Sequence, residues 1–298
     1  MTTTSPAERD KQAAKATGRD TRTEILKRSI RANVPLRKTF VQAPRGTASR
    51  HGPLCEFVTG RDLRGLKAYL LIVAACSNGT DGWSTRHDSA VWARMMDIDQ
   101  TATEQAARTG AWRALRRLRD RNLITCTRSG KMITVTLLRE DGSGAPYERP
   151  MGQSDEDVYL QIPAAFWTKG YDETVDLPAL ALLLVVAREK PWSKFPAEKA
   201  PQWYGWSADT HERGLKKLID LGLVERRPHF TKAPLAPSGF TMAYLYQRTA
   251  VMRPRKARKT AVAKAAVSTG TTGGPTKAAS TKTTKATKTA VPTARRGR

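Results

Sequence analysis

From residue 61 the chain reads RDLRGLKAYLLIVAAC, with apolar residues on most of a helix's circumference, so a buried helix is predicted over 61–76. HDSAVWARMMDI (87–98) reads as a second helix. TATEQAARTGAWRALRRLRDR (101–121) reads as a third, with Thr101 and Glu104 in capping-box spacing at its start, although Gly110 raises the alternative of a start there. LITCT and MITVTLL then flank RSGK as two alternating β-branched runs, a hairpin pattern. A similar plan returns later. VYLQIP (158–163) is strand-like, and DLPALALLLVVAREK (176–190) is a helix with Asp176 as N-cap and Pro178 in its first turn. FPAEKAPQWYG (195–205) is a poorer helix interrupted by Pro201. SADTHERGLKKLIDLG (207–222) is a third, capped by Ser207, and LVERRPHF and GFTMAYLYQR follow as strands around a loop rich in Pro.

The two halves echo each other. In RALRRLRDRNLI (113–124) and RGLKKLIDLGLV (213–224), Leu115, Leu118 and Leu123-Ile124 match Leu215, Leu218 and Leu223-Val224. The spacing puts the first two leucines on a helix's core face and the apolar pair at the start of a strand. Asn122 and Gly222 stand where helix turns into strand, a position that favours a left-handed backbone.

Three helices followed by a hairpin resemble the winged helix-turn-helix family, over roughly 61–139 and again over 158–248. The resemblance implies that the two echoing segments are the end of a recognition helix and the first strand of a wing. Two such domains in tandem also resemble certain plasmid replication initiators, and the Lys/Ala/Thr/Pro tail is similar to those of linker histones and some actinobacterial nucleoid proteins. The expected fold is mainly α with small β-hairpins, an α+β chain of two tandem winged helix-turn-helix domains at 56–139 and 158–252. A Gly/Pro/acid-rich linker (140–157) would join them. Residues 1–55 are expected to be a mostly disordered basic arm, with RTEILKRSIRANVPLRK as its one short helix before Pro35. Residues 253–298 hold no acid and almost no large apolar side chain, and are expected to be a disordered basic tail.

Charge turns the pattern toward a partner. Fifty-two Lys and Arg against 27 Asp and Glu give a net charge of +25 in 298 residues, a field that attracts polyanions. No stretch approaches the roughly 18 apolar residues of a spanning helix, and MTTTSPAERDKQ has no apolar leader region, so no membrane partner and a cytoplasmic, nucleoid location are expected. Cys55, Cys76 and Cys126 read as small buried residues. Neither they nor His51, His87, His211 and His229 have metal-ligand spacing, so neither metal nor cofactor is expected. Phosphate-loop and Gly-x-Ser-x-Gly motifs are missing, so an enzyme is not expected.

The expected partner is therefore double-stranded DNA, with a homodimer left open. On the helix over 101–121, Ala111, Leu115 and Leu118 face inward, and Gln105, Thr109, Arg113 and Arg117 fall on the opposite stripe. Gln suits adenine and Arg suits guanine edges in the major groove, which makes Arg113 the leading base reader. Arg116, Arg119 and Arg121 lie to the side and suit phosphates, and Arg128 and Lys131 bracket the hairpin turn. The second unit is less basic: Asp209, His211 and Glu212 occupy its third helix's first turns, leaving Lys216, Lys217, Arg226 and Arg227 for contact. The aromatics of WYGW (203–206), with Trp167 and Trp192, are read as core rather than as a stacking platform. The favoured role is a sequence-specific transcriptional regulator. The alternatives are a replication initiator on repeated sites and an architectural nucleoid protein.

Overall fold

The structure, a computed structural model, describes residues 15–29, 32–47, 49–79 and 82–254. In chain order its helices are α1 (Gly18–Ser29), α2 (Leu54–Thr59), α3 (Leu63–Ala75), α4 (Ser89–Met95), α5 (Glu104–Asp120), α6 (Ala165–Thr168), α7 (Tyr171–Thr174), α8 (Leu177–Arg188), α9 (Ala200–Tyr204) and α10 (Ala208–Asp220). Its strands are β1 (Asn33–Arg37), β2 (Ser77–Gly79), β3 (Gly82–Asp88), β4 (Ile124–Ser129), β5 (Met132–Leu137), β6 (Tyr159–Pro163), β7 (Val224–Lys232) and β8 (Phe240–Arg248). Among the described residues the fold is α+β with three small antiparallel sheets, ordered β1-β6, β2-β3-β5-β4 and β7-β8.

The first surprise is the N-terminal segment. Within the arm expected to be mostly disordered, the one short helix is present as α1, which starts earlier, at Gly18, and the chain goes on to form β1 and the start of α2. Val34 and Leu36 are buried on β1, which pairs with β6 from Asn33↔Pro163 to Arg37↔Tyr159, and Phe40 stacks on Tyr69 of α3 at 5.1 Å between ring centroids. What polarity hid is that α1 docks on the core, because its key residue is an arginine. Buried Arg22 reaches Asp97 (2.7 Å), Asp172 (3.0 Å) and Glu173 (2.8 Å) and donates to the Met95 carbonyl. A buried charge is tolerated when paired in this way. The 140–157 stretch is likewise no free linker, since Glu140 and Tyr147 are both buried. One apolar cluster runs from Ile25 to Met252, so both halves share a core. The tail expected at 253–298 lies, from residue 255 onward, outside the described residues.

Local expectations fared better. Asp176 caps α8 by accepting from the Ala179 N–H (2.9 Å), and Ser207 caps α10 by accepting from the Thr210 N–H (3.2 Å). Asn122 and Gly222 hold φ of 56° and 66°. The third helix begins at Glu104 with Thr103 as N-cap, not at Thr101, and it runs unbroken through Gly110. A β-carbon at Gly110 would lie 3.2 Å from Ile98 Cγ2, so glycine keeps the α4–α5 turn close to the helix. The helix expected from His87 starts only at Ser89, where Asp88 accepts from the Ala90 N–H (2.7 Å). The residues before it form β3, whose half-buried side chains carry no apolar alternation to announce a strand.

The Trp/Tyr cluster is core in the main. Tyr204 stacks on Trp206 (5.1 Å) and on His211 (6.0 Å), and all three are buried. His211 thus points inward, and burial pushes its imidazole down to about 4. Between its ordinary value and this one, the unfolded chain takes up a proton that the folded chain refuses. The contribution is therefore complete above about pH 6.5 and is lost as pH falls through about 4. Asp172, raised to about 6 chiefly by burial, slopes the opposite way over part of that window and masks the effect in the wild type. The difference in urea unfolding free energy between wild type and His211→Phe is expected to shift by about 3 kcal/mol between about pH 7 and about pH 4. A flat difference would place the titration elsewhere.

Candidate nucleic-acid interface

The inner face of α5 is small and apolar. Ala107, Ala111, Ala114, Leu115 and Leu118 are all buried, which seats the helix flat on the core and turns the opposite stripe outward. On that stripe Gln105, Arg113 and Arg116 are exposed and Thr109 is half-buried, its hydroxyl donating to the Gln105 carbonyl (3.0 Å). Among the described residues, no carboxylate pairs with Arg113 or Arg116. Their neighbour Arg108 is occupied: it bridges Glu104 (2.7 Å) and Asp88 (2.7 Å) and donates to the Ser89 hydroxyl, tying α5 to the start of α4.

Two of the expected contacts are held elsewhere. Asp62, only 7% exposed, caps α3 by accepting from the Gly65 N–H (3.0 Å) and takes both Arg117 (3.0 and 2.9 Å) and Arg121 (2.7 Å). Arg121 also lies 4.3 Å above the Phe57 ring, and 13% of its side chain is exposed, against 45% for Arg117. Arg121 is therefore a packing and pairing residue, and Arg117 reaches solvent with its charge already engaged. Burial pulls the Asp62 carboxyl upward, but hydrogen bonds from Arg117, Arg121 and the Gly65 amide outweigh it and hold the group at about 2. Gly65 is required here, because a β-carbon would meet Asp62 Oδ2 at 2.4 Å. Nothing within reach in the sequence points to Asp62. Its partners lie more than 50 positions away, and its one local signal is the N-cap position.

Past the helix, Arg128 and Lys131 are exposed at the β4–β5 turn, with Arg128 Nε donating to the Gly130 carbonyl (2.9 Å). Arg61 and Arg64, which sequence reasoning passed over, are also exposed. They line a cavity of about 500 Å³ beside Asp62, together with Lys67, Asp97 and Asp172.

The second unit presents a mixed face. On α10, Asp209 pairs with Arg213 (3.2 Å), Glu212 and Lys216 are exposed, and Lys217 is half-buried. Lys216 shares a groove with Glu198, Glu212 and Asp220. Arg226 lies over Tyr244 (4.6 Å) and Arg227 over Trp192 (4.2 Å), so their guanidinium faces are covered while their side chains remain exposed. Carboxylates interleaved with cations weaken this helix as a phosphate-facing surface.

Among the described residues, no group of three or more His, Cys, Asp or Glu side chains is placed to hold a metal ion, and no helix is long and apolar enough to cross a membrane. Compared with known proteins, the chain matches no family model, no curated protein and no solved structure.

Proposed function

We propose that the chain binds double-stranded DNA through two winged-helix units, 61–139 and 158–248, with α5 entering the major groove and the β4–β5 hairpin acting as its wing. Element order supports the architecture. In the first unit α3, the short β2, β3, α4, α5, β4 and β5 follow one another, and β3 lies between β2 and β5 in the sheet. In the second, α8, α9, α10, β7 and β8 repeat the order, and a single bridge from Ser193 to Tyr246 stands where β3 would be. The observation that carries the DNA reading is the division of labour on α5: Arg108 and Arg117 are neutralised by carboxylates, while Gln105, Arg113 and Arg116 are exposed without one.

In this reading Arg113 reads a base edge, Arg116, Arg128 and Lys131 touch phosphates, and Lys216, Arg226 and Arg227 give the second unit a weaker hold. A sequence-specific regulator fits these roles. Two units of like order in one body favour, as a second reading, an initiator that engages paired sites. Selection of bound fragments from random DNA tests the first role. With Arg113→Ala, discrimination at one base pair is expected to fall roughly 5- to 150-fold while nonspecific affinity changes little. A wild type without sequence preference, or a preference that survives the substitution, would overturn it.

A further inference from the structure

The β7–β8 ribbon carries an apolar face that none of the described residues covers. Antiparallel pairing sets Arg226 opposite Tyr246, Pro228 opposite Tyr244, Phe230 opposite Met242 and Lys232 opposite Phe240, and directly opposed residues share one face of a ribbon. On this face Phe230 is 59% exposed, Met242 49%, Phe240 45% and Tyr244 38%. From Arg226 outward every residue of β7 is exposed. A two-stranded ribbon gains little from displaying such side chains to water, so the stripe calls for an occupant.

Charge decides which occupant. The ribbon holds Arg226, Arg227 and Lys232 against a single acid, Glu225, which is already engaged by Arg253 (2.9 Å) and Gln247 (2.7 Å). A second copy of this face would bring Arg226 and Lys232 against their equals, on a chain whose net charge is already +25. A polyanion with flat apolar groups satisfies both properties of the surface. In duplex DNA those flat groups are stacked on one another, whereas in an unpaired strand they are available.

We propose that this ribbon binds an unpaired nucleic-acid strand, its bases seated on Phe230, Phe240, Met242 and Tyr244 and its phosphates on Arg226 and Lys232. Side chains two positions apart on a strand stand about 6.8 Å from each other, twice the roughly 3.4 Å rise of a stacked base, so one base fits between successive steps. Arg226 stacked on Tyr244 extends the platform with a cation. Beside Arg226 and Tyr246, the groove against α10 sets Glu198, Glu212 and Asp220 against Lys216, which makes it a poorer path for phosphates than the ribbon face. The inference rests on the chain being a nucleic-acid-binding protein, but it uses a different surface from α5.

Fluorescence anisotropy of the full chain, with an oligo-dT of about 20 residues and a duplex of similar length, tests it. The double variant Phe230→Ala/Phe240→Ala is expected to lose about tenfold or more in oligo-dT affinity, at low and at high salt, with duplex affinity unchanged. Phe230→Tyr/Phe240→Tyr, which keeps both rings, is expected to bind oligo-dT like the wild type, and matching thermal melts verify that the variants fold. Oligo-dT affinity indifferent to the alanines overturns the proposal. So does a wild type that binds duplex but no oligo-dT, and in that case the duplex reading stands. Binding of neither probe sinks both readings. A wild-type dimer in sedimentation that the alanines dissociate, with oligo-dT binding unaffected, assigns the face to a second copy.

Discussion

Replacing Asp62 by alanine is expected to lower the unfolding free energy by about 3–5 kcal/mol in urea titration near neutral pH, because it leaves Arg121, in a mostly buried site, to the longer contact with the exposed Glu56 carboxylate (3.6 Å) and uncaps α3 at the same time. Asp62→Asn keeps the cap geometry and should fall between the two. With its carboxyl held at about 2 against an ordinary 3.8, the unfolded chain binds the proton first as the solution is acidified. The stabilisation is thus complete above about pH 4 and disappears as pH falls through about 2, a span of roughly 2 kcal/mol. A loss under about 1 kcal/mol in Asp62→Ala would mean that the two arginines find other partners at little cost. The same substitution has a functional sign. It releases Arg117 and Arg121 beside the proposed base reader, so a variant that is less stable should bind DNA with a steeper salt dependence, each added phosphate contact contributing about 0.9 to the logarithmic slope.

Glu140→Ala is the second large effect, again about 3–5 kcal/mol by urea titration, but with a different remedy. Glu140 is fully buried and accepts from the Arg37 guanidinium and, at 3.3 Å, from the Arg37 backbone N–H, while Asp157 takes the other side of Arg37 at 3.0 Å. Burial raises the Glu140 carboxyl above its ordinary value despite Arg37, so desolvation outweighs attraction for this group. An apolar pair of similar size should then serve as well as the ions. Arg37→Met/Glu140→Met is expected to recover most of what Glu140→Ala loses. If the double variant is as unstable as the single one, the ions hold a geometry that packing alone does not supply.

These two carboxylates mark the boundary of what could be read from the chain. The α3 and α10 helices were legible because apolar spacing and caps act within a few residues: 61–76 became Leu63–Ala75, and 207–222 became Ala208–Asp220. Asn122 and Gly222 were legible because a left-handed turn favours few residue types. Arg37, Glu140 and Arg22 carry no such local mark, and Asp62 carries only its N-cap position, which says nothing of Arg117 and Arg121. Each is a charged residue that spacing alone would turn to solvent, and each is buried against a partner far along the chain. On the α5 surface the helical stripe could be drawn from spacing alone, but which of its arginines are neutralised depends on Asp62 and Asp88, which periodicity does not connect to them.

The pairing of β1 with β6 also fixes an order of events during synthesis. Asn33 leaves the ribosome long before its partner Pro163 exists, at about 5–20 residues per second an interval on the order of ten seconds. Through that interval Val34, Leu36 and the backbone groups of β1 have no edge to join, while α3, α4, α5 and their hairpin can already close over short loops. The earliest strand among the described residues is thus paired only after the β2-β3-β5-β4 sheet has been made, and a nascent chain stopped before residue 159 would present it as an open edge.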